Sequence, residues 1–267
     1  MKTQDIKVCI MRAGGTNCDF ETARAFRILG AQTEIKHVNE LVKNNSLMDY
    51  NIIVLSGGSS FGDYVRAGAI FARTLNAKLG KQMKQFIDEN RPLLGICNGF
   101  QILVEYGLLP GFEGPSQQPE AALTTNIPQG FKCQWIYLKN ENKGKCLFTN
   151  QIPQNKILHL PIAHSEGRLL FSKEKEKQTL QKLIDNDMIV FRYCNEDGTT
   201  TDPNGTYHNI AGICNKEGTI FGLMPHPERA IYFWQEPTWT QKQQHTSPYS
   251  DGKLIFENIL NSIAKKQ

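Results

Sequence analysis

The sequence predicts an α/β fold: a doubly wound, mostly parallel sheet flanked by helices, with additional antiparallel strands in the C-terminal half. Three observations predict it. Short apolar strands alternate with segments of helical spacing in the first hundred residues. One of these strands, residues 51–56, has the nearly continuous hydrophobic character of a buried parallel strand. Beyond about residue 111 the residue composition of the chain changes, and several strands follow that we expect to be antiparallel.

The N-terminal elements follow this alternation in order. Predicted strands cover residues 6–11, 32–38, 51–56 and 93–96, and predicted helices cover residues 20–29 and 100–106. Thr16, Asn17 or Asp19 can cap the first helix, and Gly30 ends it. Functional sites of such sheets form beyond the carboxyl ends of the parallel strands. Cys97 and the pair Gly57-Gly58 both fall at such ends.

The C-terminal half contains the remaining elements. Predicted strands cover residues 134–139, 189–193, 209–214 and 219–223, and predicted helices cover residues 178–184 and 254–263. Residues 111–130 are rich in Pro, Gly, Gln and Ser, which is typical of a long loop insertion. We interpret the whole chain, residues 1–267, as a single domain with a C-terminal extension at 230–267.

Composition and charge narrow the classes of protein to which the chain can belong. Its 267 residues are 40% hydrophobic, which supports a sizeable core, and its net charge of +4 is too small to indicate a nucleic-acid partner. No apolar run is long enough to span a membrane, and the N-terminus lacks the hydrophobic region of a signal peptide. We therefore expect a cytoplasmic protein without a membrane partner.

The cysteines and glycines argue against metal and nucleotide sites. The seven cysteines are odd in number, scattered and without a CxxC pair, which argues against a disulfide framework and a zinc site. There is no GxxxxGKS/T phosphate loop and no GxGxxG fingerprint after a strand. We expect reduced thiols, no metal and no cofactor bound by this chain.

Cys97, at a sharp turn between a predicted strand and a predicted helix (an elbow), is the first candidate catalytic residue. Cys97 follows an apolar strand and precedes a helix, and Gly95 and Gly99 flank the turn, where a Cβ would crowd the neighbouring strand. A helix N-terminus or an adjacent imidazole favours the thiolate over the thiol. This pattern indicates a nucleophile; the alternative is a buried structural cysteine.

The tripeptide His226-Pro227-Glu228 supplies a base and a group that orients it. In extended backbone, His226 and Glu228 point to the same side, so the carboxylate can fix the imidazole while the other ring nitrogen faces the thiol. Gly57-Gly58 directly follows a predicted strand, and the Gly58 N–H together with the Asn98 N–H can form an oxyanion hole. A plain glycine turn is the alternative for that pair.

Several stretches of the chain together carry a family resemblance. The blocks GICNGFQ at 95–101 and MPHPER at 224–229 resemble triad-type (class I) glutamine amidotransferases. Five further blocks resemble one group within that family, the PurQ-type glutaminase subunits of phosphoribosylformylglycinamidine synthase. These blocks lie at residues 15–19, 62–70, 163–168, 202–206 and 209–213. The resemblance runs from about residue 6 to residue 230.

The resemblance implies a reaction and its partners. Cys97 would attack the side-chain amide of glutamine, His226 would pass a proton to the leaving ammonia, and Glu228 would hold His226. Gln101, His164 and Ser165 would contact the glutamine. The ammonia would go to formylglycinamide ribonucleotide on a separate synthetase subunit that uses ATP and magnesium, with a third small subunit in the complex.

The sequence leaves two other functions open. The chain can be an amidotransferase subunit that serves a different acceptor, which would use the same thioester chemistry. It can also be a related cysteine hydrolase or a regulatory subunit of the same fold. The intact Cys97, His226 and Glu228 argue against a catalytically silent subunit.

Overall fold

The computed structural model describes residues 1–241 and 247–265. The strands are β1 (Lys7–Arg12), β2 (Gln32–His37), β3 (Ile52–Leu55), β4 (Leu93–Ile96), β5 (Ala121–Thr124), β6 (Lys132–Asn140), β7 (Ile157–His164), β8 (Arg168–Phe171), β9 (Ile189–Cys194), β10 (Ile210–Cys214) and β11 (Ile220–Leu223). The helices are α1 (Asp19–Arg27), α2 (Val38–Asn44), α3 (Ala69–Asp88), α4 (Asn98–Tyr106), α5 (Glu176–Asp185) and α6 (Lys253–Lys265).

A nine-stranded sheet forms the centre of the molecule. Its strand order is β2-β1-β3-β4-β11-β10-β9-β6-β7, and β5 and β8 form a separate two-stranded sheet. The first five strands of that order pair in parallel, and the remaining pairs are antiparallel. The predicted α/β class, with a mostly parallel sheet flanked by helices and antiparallel strands in the C-terminal half, is confirmed.

The central strands bring the site segments together. All four residues of β3 and of β4 are buried, because strands in the middle of a parallel sheet are covered on both faces. Leu93 pairs with Ile53 on one side and with Ile220 on the other. The carboxyl ends of β3, β4 and β11 therefore lie side by side, and the segments that follow these strands contain the glycine pair, the cysteine and the histidine.

Several elements were not predicted from the sequence. These are α2, α3, β5, β7 and β8. The strand β5 falls within residues 111–130, so this segment is not loop throughout; Ala121 pairs with Phe171 in β8. The strand β7 contains Pro161 yet pairs with β6 along its length. A proline is tolerated there because β7 is the last strand of the sheet and needs no N–H donor on its outer side.

The start of α1 also differs from its prediction. The helix begins at Asp19, and its N-cap is Cys18, which makes no side-chain capping hydrogen bond. None of Thr16, Asn17 or Asp19 occupies the N-cap position that the sequence pattern assigned to them. Other contacts set the start of this helix. The N–H groups of Asn17 and Cys18 both donate to the carbonyl of Gly57 and hold the loop in place.

The predicted C-terminal extension contacts the body of the protein at several points. Its last helix, α6, contacts α1 through the rings of Phe26 and Phe256, whose centroids are 5.0 Å apart. The Gly252 N–H donates to the carbonyl of Ala230. Residues 242–246 and 266–267 of the predicted extension lie outside the described residues. Within the described chain, no helix combines the length and the apolar character that crossing a bilayer requires.

Candidate active site

The turn between β4 and α4 holds Cys97 in strained backbone. Its φ of 52° and ψ of −106° lie outside the regions that non-glycine residues favour. The Cys97 N–H donates to the carbonyl of Leu223 in β11, and the Cys97 carbonyl accepts from the N–H of Gln101 in α4. These bonds tie the residue to the neighbouring strand and to its own helix, and they hold the thiol at the carboxyl end of β4.

The glycines that flank Cys97 permit this close packing. A Cβ at Gly99 would lie 1.8 Å from the carbonyl oxygen of Leu55 in β3, and a Cβ at Gly95 would lie 2.6 Å from the backbone of Gly99. Neither distance is compatible with a side chain. The sequence argument that a Cβ would crowd the turn or the adjacent strand is confirmed at both positions.

His226 and Glu228 form a tightly paired couple beside the thiol. Glu228 Oε1 lies 2.6 Å from His226 Nδ1, and both side chains are buried. A Cβ at Gly57 would lie 2.8 Å from His226 Cε1 and 3.5 Å from Cys97 Cβ, so the imidazole and the cysteine converge on one glycine. The Cys97 thiol itself donates to the carbonyl of Ala163, at 3.6 Å. The structure thus brings together the three residues predicted as a triad.

The backbone that joins this pair is not extended, as the sequence argument assumed. Pro227–Arg229 forms a 3-10 turn, and the Arg229 N–H donates to the carbonyl of His226. The His226 N–H donates to the carbonyl of Pro161 in β7, at 2.8 Å. The pairing of Glu228 with the imidazole therefore depends on this turn. It does not arise from two side chains on the same face of an extended strand.

The electrostatic environment of His226 favours the imidazolium. Burial by itself lowers the pKa of this histidine, but the negative charges of Glu228 and Cys97 outweigh burial, so the pKa lies well above its usual range. The pair can accept a proton from the thiol and keep it close to the sulfur. That is the property that a general base and acid needs in nucleophilic catalysis by cysteine.

The predicted oxyanion-hole residues lie at the same edge of the sheet. Gly58 has a φ of 151°, and a Cβ there would lie 2.6 Å from the carbonyl oxygen of Gly15. The side chain of Asn98 accepts from the Ser60 N–H and donates to Asp63 and to Gln101. Within residues 1–241 and 247–265, neither the Gly58 N–H nor the Asn98 N–H donates to a backbone carbonyl outside the regular elements.

The three predicted glutamine contacts lie near the thiol but have different surroundings. The side chain of Gln101 is bound within the protein, because its amide donates to the carbonyl of Glu166 and its oxygen accepts from Asn98. His164 is buried, and neither of its ring nitrogens has a partner among the described residues. Burial, with the charge of His226, lowers the pKa of His164 to about 4. Ser165 is exposed.

Asn126 shapes the turn that carries His164 and Ser165, and the sequence argument missed it. Its side chain donates to the carbonyl of His164 and accepts from the N–H of Gly167, while its own N–H donates to the carbonyl of Ser165. Asn126 lies within the segment interpreted as a loop insertion, 38 residues before His164. No local sequence signal reports a contact over that separation.

Cys18 and Arg229 are two further residues of the site. The Arg229 guanidinium donates to Cys18 Sγ at 2.9 Å, and its Nε lies 3.8 Å from Glu228 Oε1. Ligand-type atoms of Cys18, His226 and Glu228 lie within 4.8 Å of one another. The guanidinium, however, already places a positive charge on that sulfur, which disfavours a metal cation at this position.

Fold and site together define a class of protein. A cysteine on a strand-to-helix elbow, a buried imidazole–carboxylate pair and a mostly parallel sheet are the features of triad-type glutamine amidotransferases. The comparisons with known proteins agree. Residues 5–261 match the family described as CobB/CobQ-like glutamine amidotransferase domain, and the chain belongs to this family.

Individual relatives are similar over almost the whole chain. Phosphoribosylformylglycinamidine synthase subunit PurQ from Archaeoglobus fulgidus is 41% identical, over 99% of this chain and 100% of the relative. The subunit of the same name from Dehalococcoides mccartyi is 39% identical, over 96% of each chain. Among solved structures, a chain in the structure of PurLQS from Thermotoga maritima is similar with a TM-score of 0.73 and 33% identity, over 98% of this chain and 100% of that one.

A more distant structure supports the fold alone. A putative GMP synthase protein from Thermoplasma acidophilum has a TM-score of 0.54 at 17% identity, over 98% of this chain and 95% of that one. The sheet and its flanking helices are therefore shared beyond the relatives of high identity.

Proposed function

We propose that this protein hydrolyses glutamine through a thioester on Cys97 and supplies the ammonia to a synthetase that converts formylglycinamide ribonucleotide to formylglycinamidine ribonucleotide in purine biosynthesis. One observation carries the proposal: Cys97, His226 and Glu228 converge in a chain that is 41% identical, over 99% of its length, to a phosphoribosylformylglycinamidine synthase subunit PurQ. The triad geometry supports the chemistry, and the relatives support the acceptor.

The reaction begins with proton transfer from Cys97 to His226. The thiolate then attacks the carbonyl carbon of the glutamine side chain, and a tetrahedral intermediate forms. His226 returns the proton to the leaving nitrogen, so that ammonia departs and a glutamyl thioester remains. Water, deprotonated by the same imidazole, cleaves the thioester to glutamate and regenerates the thiol. Glu228 stabilises the imidazolium in both halves of the reaction, which its 2.6 Å contact with Nδ1 supports.

The negative oxygen of the intermediate requires donors that are fixed before the reaction. We assign the N–H groups of Gly58 and Asn98 to this role, because both follow strand ends next to the thiol. The Gly58 segment is held by the Ser59 N–H, which donates to the carbonyl of Gly15. One such donor contributes about 3 to 4 kcal/mol to lowering the barrier in a protease precedent.

For the glutamine itself we assign the turn at His164 and Ser165, with Gln101 behind it. The Gln101 amide binds the carbonyl of Glu166, so this residue supports the turn and positions it for the substrate. His164 is neutral above about pH 4 and offers an uncharged imidazole. A neutral donor or acceptor suits an amide side chain better than a charged one.

Ammonia must reach the acceptor without loss to water, which requires a partner over the site. Five large apolar side chains, exposed by between 53% and 86%, form what we term the rim surface: Phe20, Tyr64, Val65, Ile127 and Phe131. Each is next to a site segment in sequence. We propose that the synthetase subunit covers this surface, that it holds the ATP and magnesium, and that a third small subunit completes the complex, as the name PurLQS suggests for the relative from Thermotoga maritima.

One assay tests two assignments separately: Cys97 as the nucleophile and formylglycinamide ribonucleotide as the acceptor. Cys97→Ala, mixed with the synthetase, ATP and formylglycinamide ribonucleotide, is expected to lose glutamine-dependent product by roughly 1,000-fold or more and to keep product formation with ammonium salt. Cys133→Ala, which removes an exposed thiol, is the matched control and is expected to retain both activities. Glutamine-dependent product from Cys97→Ala would contradict the nucleophile.

The same assay addresses the alternative functions. If wild type yields no product with this acceptor but Cys97 reacts with a glutamine-like alkylating agent, the chain serves a different acceptor. If Cys97 does not react with that agent, the chain is a related hydrolase or a regulatory subunit. No observation on this structure favours either alternative over the proposed function.

A further inference from the structure

Arg229 lies between two acceptors of the site. Its Nη2 donates to Cys18 Sγ at 2.9 Å, whereas its Nε lies 3.8 Å from Glu228 Oε1, beyond hydrogen-bond distance. The same oxygen, Glu228 Oε1, lies 2.6 Å from His226 Nδ1. A guanidinium forms strong, often bidentate pairs with carboxylates. Arg229 is therefore close enough to compete with the imidazole for Glu228 but is turned toward the sulfur.

Cys18 is held in place to receive that guanidinium. Its N–H donates to the carbonyl of Gly57 at 3.1 Å, and its thiol donates to Asn17 Oδ1 at 3.2 Å. A Cβ at Gly57 would lie 3.1 Å from Cys18 Sγ and 2.8 Å from His226 Cε1. The sulfur thus occupies a fixed position beside the imidazole, and the loop that fixes it is the one bound to the predicted oxyanion-hole segment.

We propose that Cys18 is a positioning residue: its sulfur holds the guanidinium of Arg229 away from Glu228, so that the carboxylate stays paired with His226. The inference rests on the proposed role of His226 in proton transfer, and it assigns a task to a thiol that the thioester chemistry does not use. The guanidinium is bound by sulfur, and the charge of Glu228 remains directed at the imidazole.

The titratable and charged groups around His226 come from four segments. Glu228 and Arg229 lie on its own turn, Cys97 on the elbow before α4, Cys18 on the loop before α1, and His164 at the end of β7. Glu228 and Cys97 favour the imidazolium, while the cationic Arg229 and a protonated His164 oppose it. Moving Arg229 onto Glu228 would weaken the largest favourable charge and reduce the thiolate–imidazolium pair.

The test compares variants of the full chain by alkylation of Cys97. The rate of reaction with iodoacetamide is followed against pH and resolved by peptide mass spectrometry, since it reports the thiolate whether or not glutamine is the substrate. Cys18→Ala is expected to react at least about 5-fold more slowly near neutral pH and to require a higher pH for thiolate formation. Cys18→Ser, whose hydroxyl also accepts from a guanidinium, is expected to restore most of the rate.

A second substitution, which removes the Arg229 guanidinium, tests whether this cation causes the defect of Cys18→Ala. In Cys18→Ala/Arg229→Gln no guanidinium remains to capture Glu228, so the alkylation profile is expected to return to that of wild type. Arg229→Gln alone is expected to leave thiolate formation at or below its wild-type pH. The matched control is Cys9→Ala, which removes a fully buried thiol from β1, outside the site.

In the complex, glutamine-dependent turnover of Cys18→Ala is expected to fall mainly in kcat, and the alkaline limb of kcat/KM is expected to move to lower pH. The proposal is overturned if Cys18→Ala matches Cys9→Ala, or if Arg229→Gln fails to relieve its defect. If wild-type Cys97 shows no thiolate at neutral pH, the proposed function fails instead. Correct folding of Cys18→Ala and of Cys18→Ala/Arg229→Gln is checked by their urea midpoints.

Discussion

At the scale of single residues, the two histidines of the site have opposite environments. Glu228 and Cys97 hold the pKa of His226 well above its usual range, in spite of burial. Burial and the charge of His226 lower the pKa of His164 to about 4. At neutral pH one imidazole can therefore carry the transferred proton while the other stays uncharged beside it. This division allows two histidines to lie close together without mutual repulsion.

Replacement of the triad carboxylate tests the first of these environments. In Glu228→Gln the hydrogen bond can persist but the negative charge is lost, so the pKa of His226 is expected to fall. We expect glutamine-dependent kcat to drop by at least about 100-fold, given the roughly 10,000-fold loss for the equivalent change in a protease triad. Steady-state kinetics against pH should show the alkaline limb of kcat/KM at lower pH. An unchanged kcat, with the exposed Glu113→Gln as control, would contradict the role of Glu228.

His164 should leave a signature in stability against pH. Its folded pKa of about 4 lies below its unfolded value of about 6.5, so between these pH values the unfolded chain binds more protons. Stability is therefore expected to fall as pH decreases from about 6.5 to about 4, by up to ~1.4 kcal/mol per pH unit from this group. Urea unfolding of His164→Gln should show a shallower acid dependence than wild type. Equal slopes, with the exposed His208→Gln as control, would show that His164 does not titrate in this way.

At the scale of elements, the contact between β3 and α4 fixes the elbow. The Gly99 Cα faces the carbonyl of Leu55, with no room for a Cβ. Gly99→Ala must push α4 away from β3, and we expect a loss of about 1 to 3 kcal/mol in the free energy of unfolding together with loss of glutamine-dependent activity. Urea denaturation measures the first effect and the coupled assay the second.

The control for this prediction is a glycine in the middle of another helix. Around Gly80 in α3, the nearest atom to a new Cβ is the side-chain oxygen of Asn76, at 3.3 Å, which can move aside. Gly80→Ala is therefore expected to stabilise the protein, by up to about 1 kcal/mol from helix propensity alone. If both alanines had the same effect, the close approach of α4 to β3 would not explain the requirement for Gly99.

Local patterns in the sequence predict the elements that meet at the site, but not all that support them. Alternating apolar segments locate β3 and β4, and a residue that ends a parallel strand must lie at the sheet edge, so the position of Cys97 is predictable. The buried positions of α3 recur at helical spacing, so the sequence pattern alone is sufficient to predict this helix. The strand β7 could not be predicted in this way, because its proline is tolerated only through its place at the end of the sheet.

Contacts between distant segments mark the limit of prediction at the site. The 3-10 turn after His226 depends on β7, whose Pro161 carbonyl receives the His226 N–H. The contact of Arg229 with Cys18 joins residues 211 positions apart. Neither has a local sequence pattern, since both depend on the packing of segments that the sheet brings together. Residue types thus indicated the chemistry, while tertiary packing decided which neighbours tune it.

At the scale of the whole molecule, the apolar side chains of the rim surface adjoin in sequence the segments that contact the site. Phe20 follows Cys18 and Asp19 at the start of α1. Tyr64 and Val65 lie between Asp63, which accepts from the Asn98 side chain, and Ala67, whose N–H donates to Glu166. Exposed apolar area of this kind is costly in water and is typical of a surface that another protein covers.

The other two members are next in sequence to residues that contact His164. Ile127 follows Asn126, which binds the turn at His164, and Phe131 precedes Lys132, whose partner across β6 and β7 is His164. All five exposed apolar side chains therefore lie within two residues of segments that contact the site. A partner seated on them would exclude water from the route that ammonia takes out of the site.

We expect Tyr64→Ser/Val65→Ser to weaken binding to the synthetase by roughly 10-fold or more, since each large side chain is worth about 1.5 to 3 kcal/mol when fully buried. Sedimentation velocity against synthetase concentration measures the affinity. The matched control is Ile184→Ser, which removes an exposed apolar side chain from α5, a helix that supplies none of the site residues named above. In the assembled complex at saturating synthetase, the rim variant should also release more ammonia to solvent per product formed, because the seal over the site is incomplete. Equal affinity and equal ammonia release for the rim variant and the control would place the synthetase on another face.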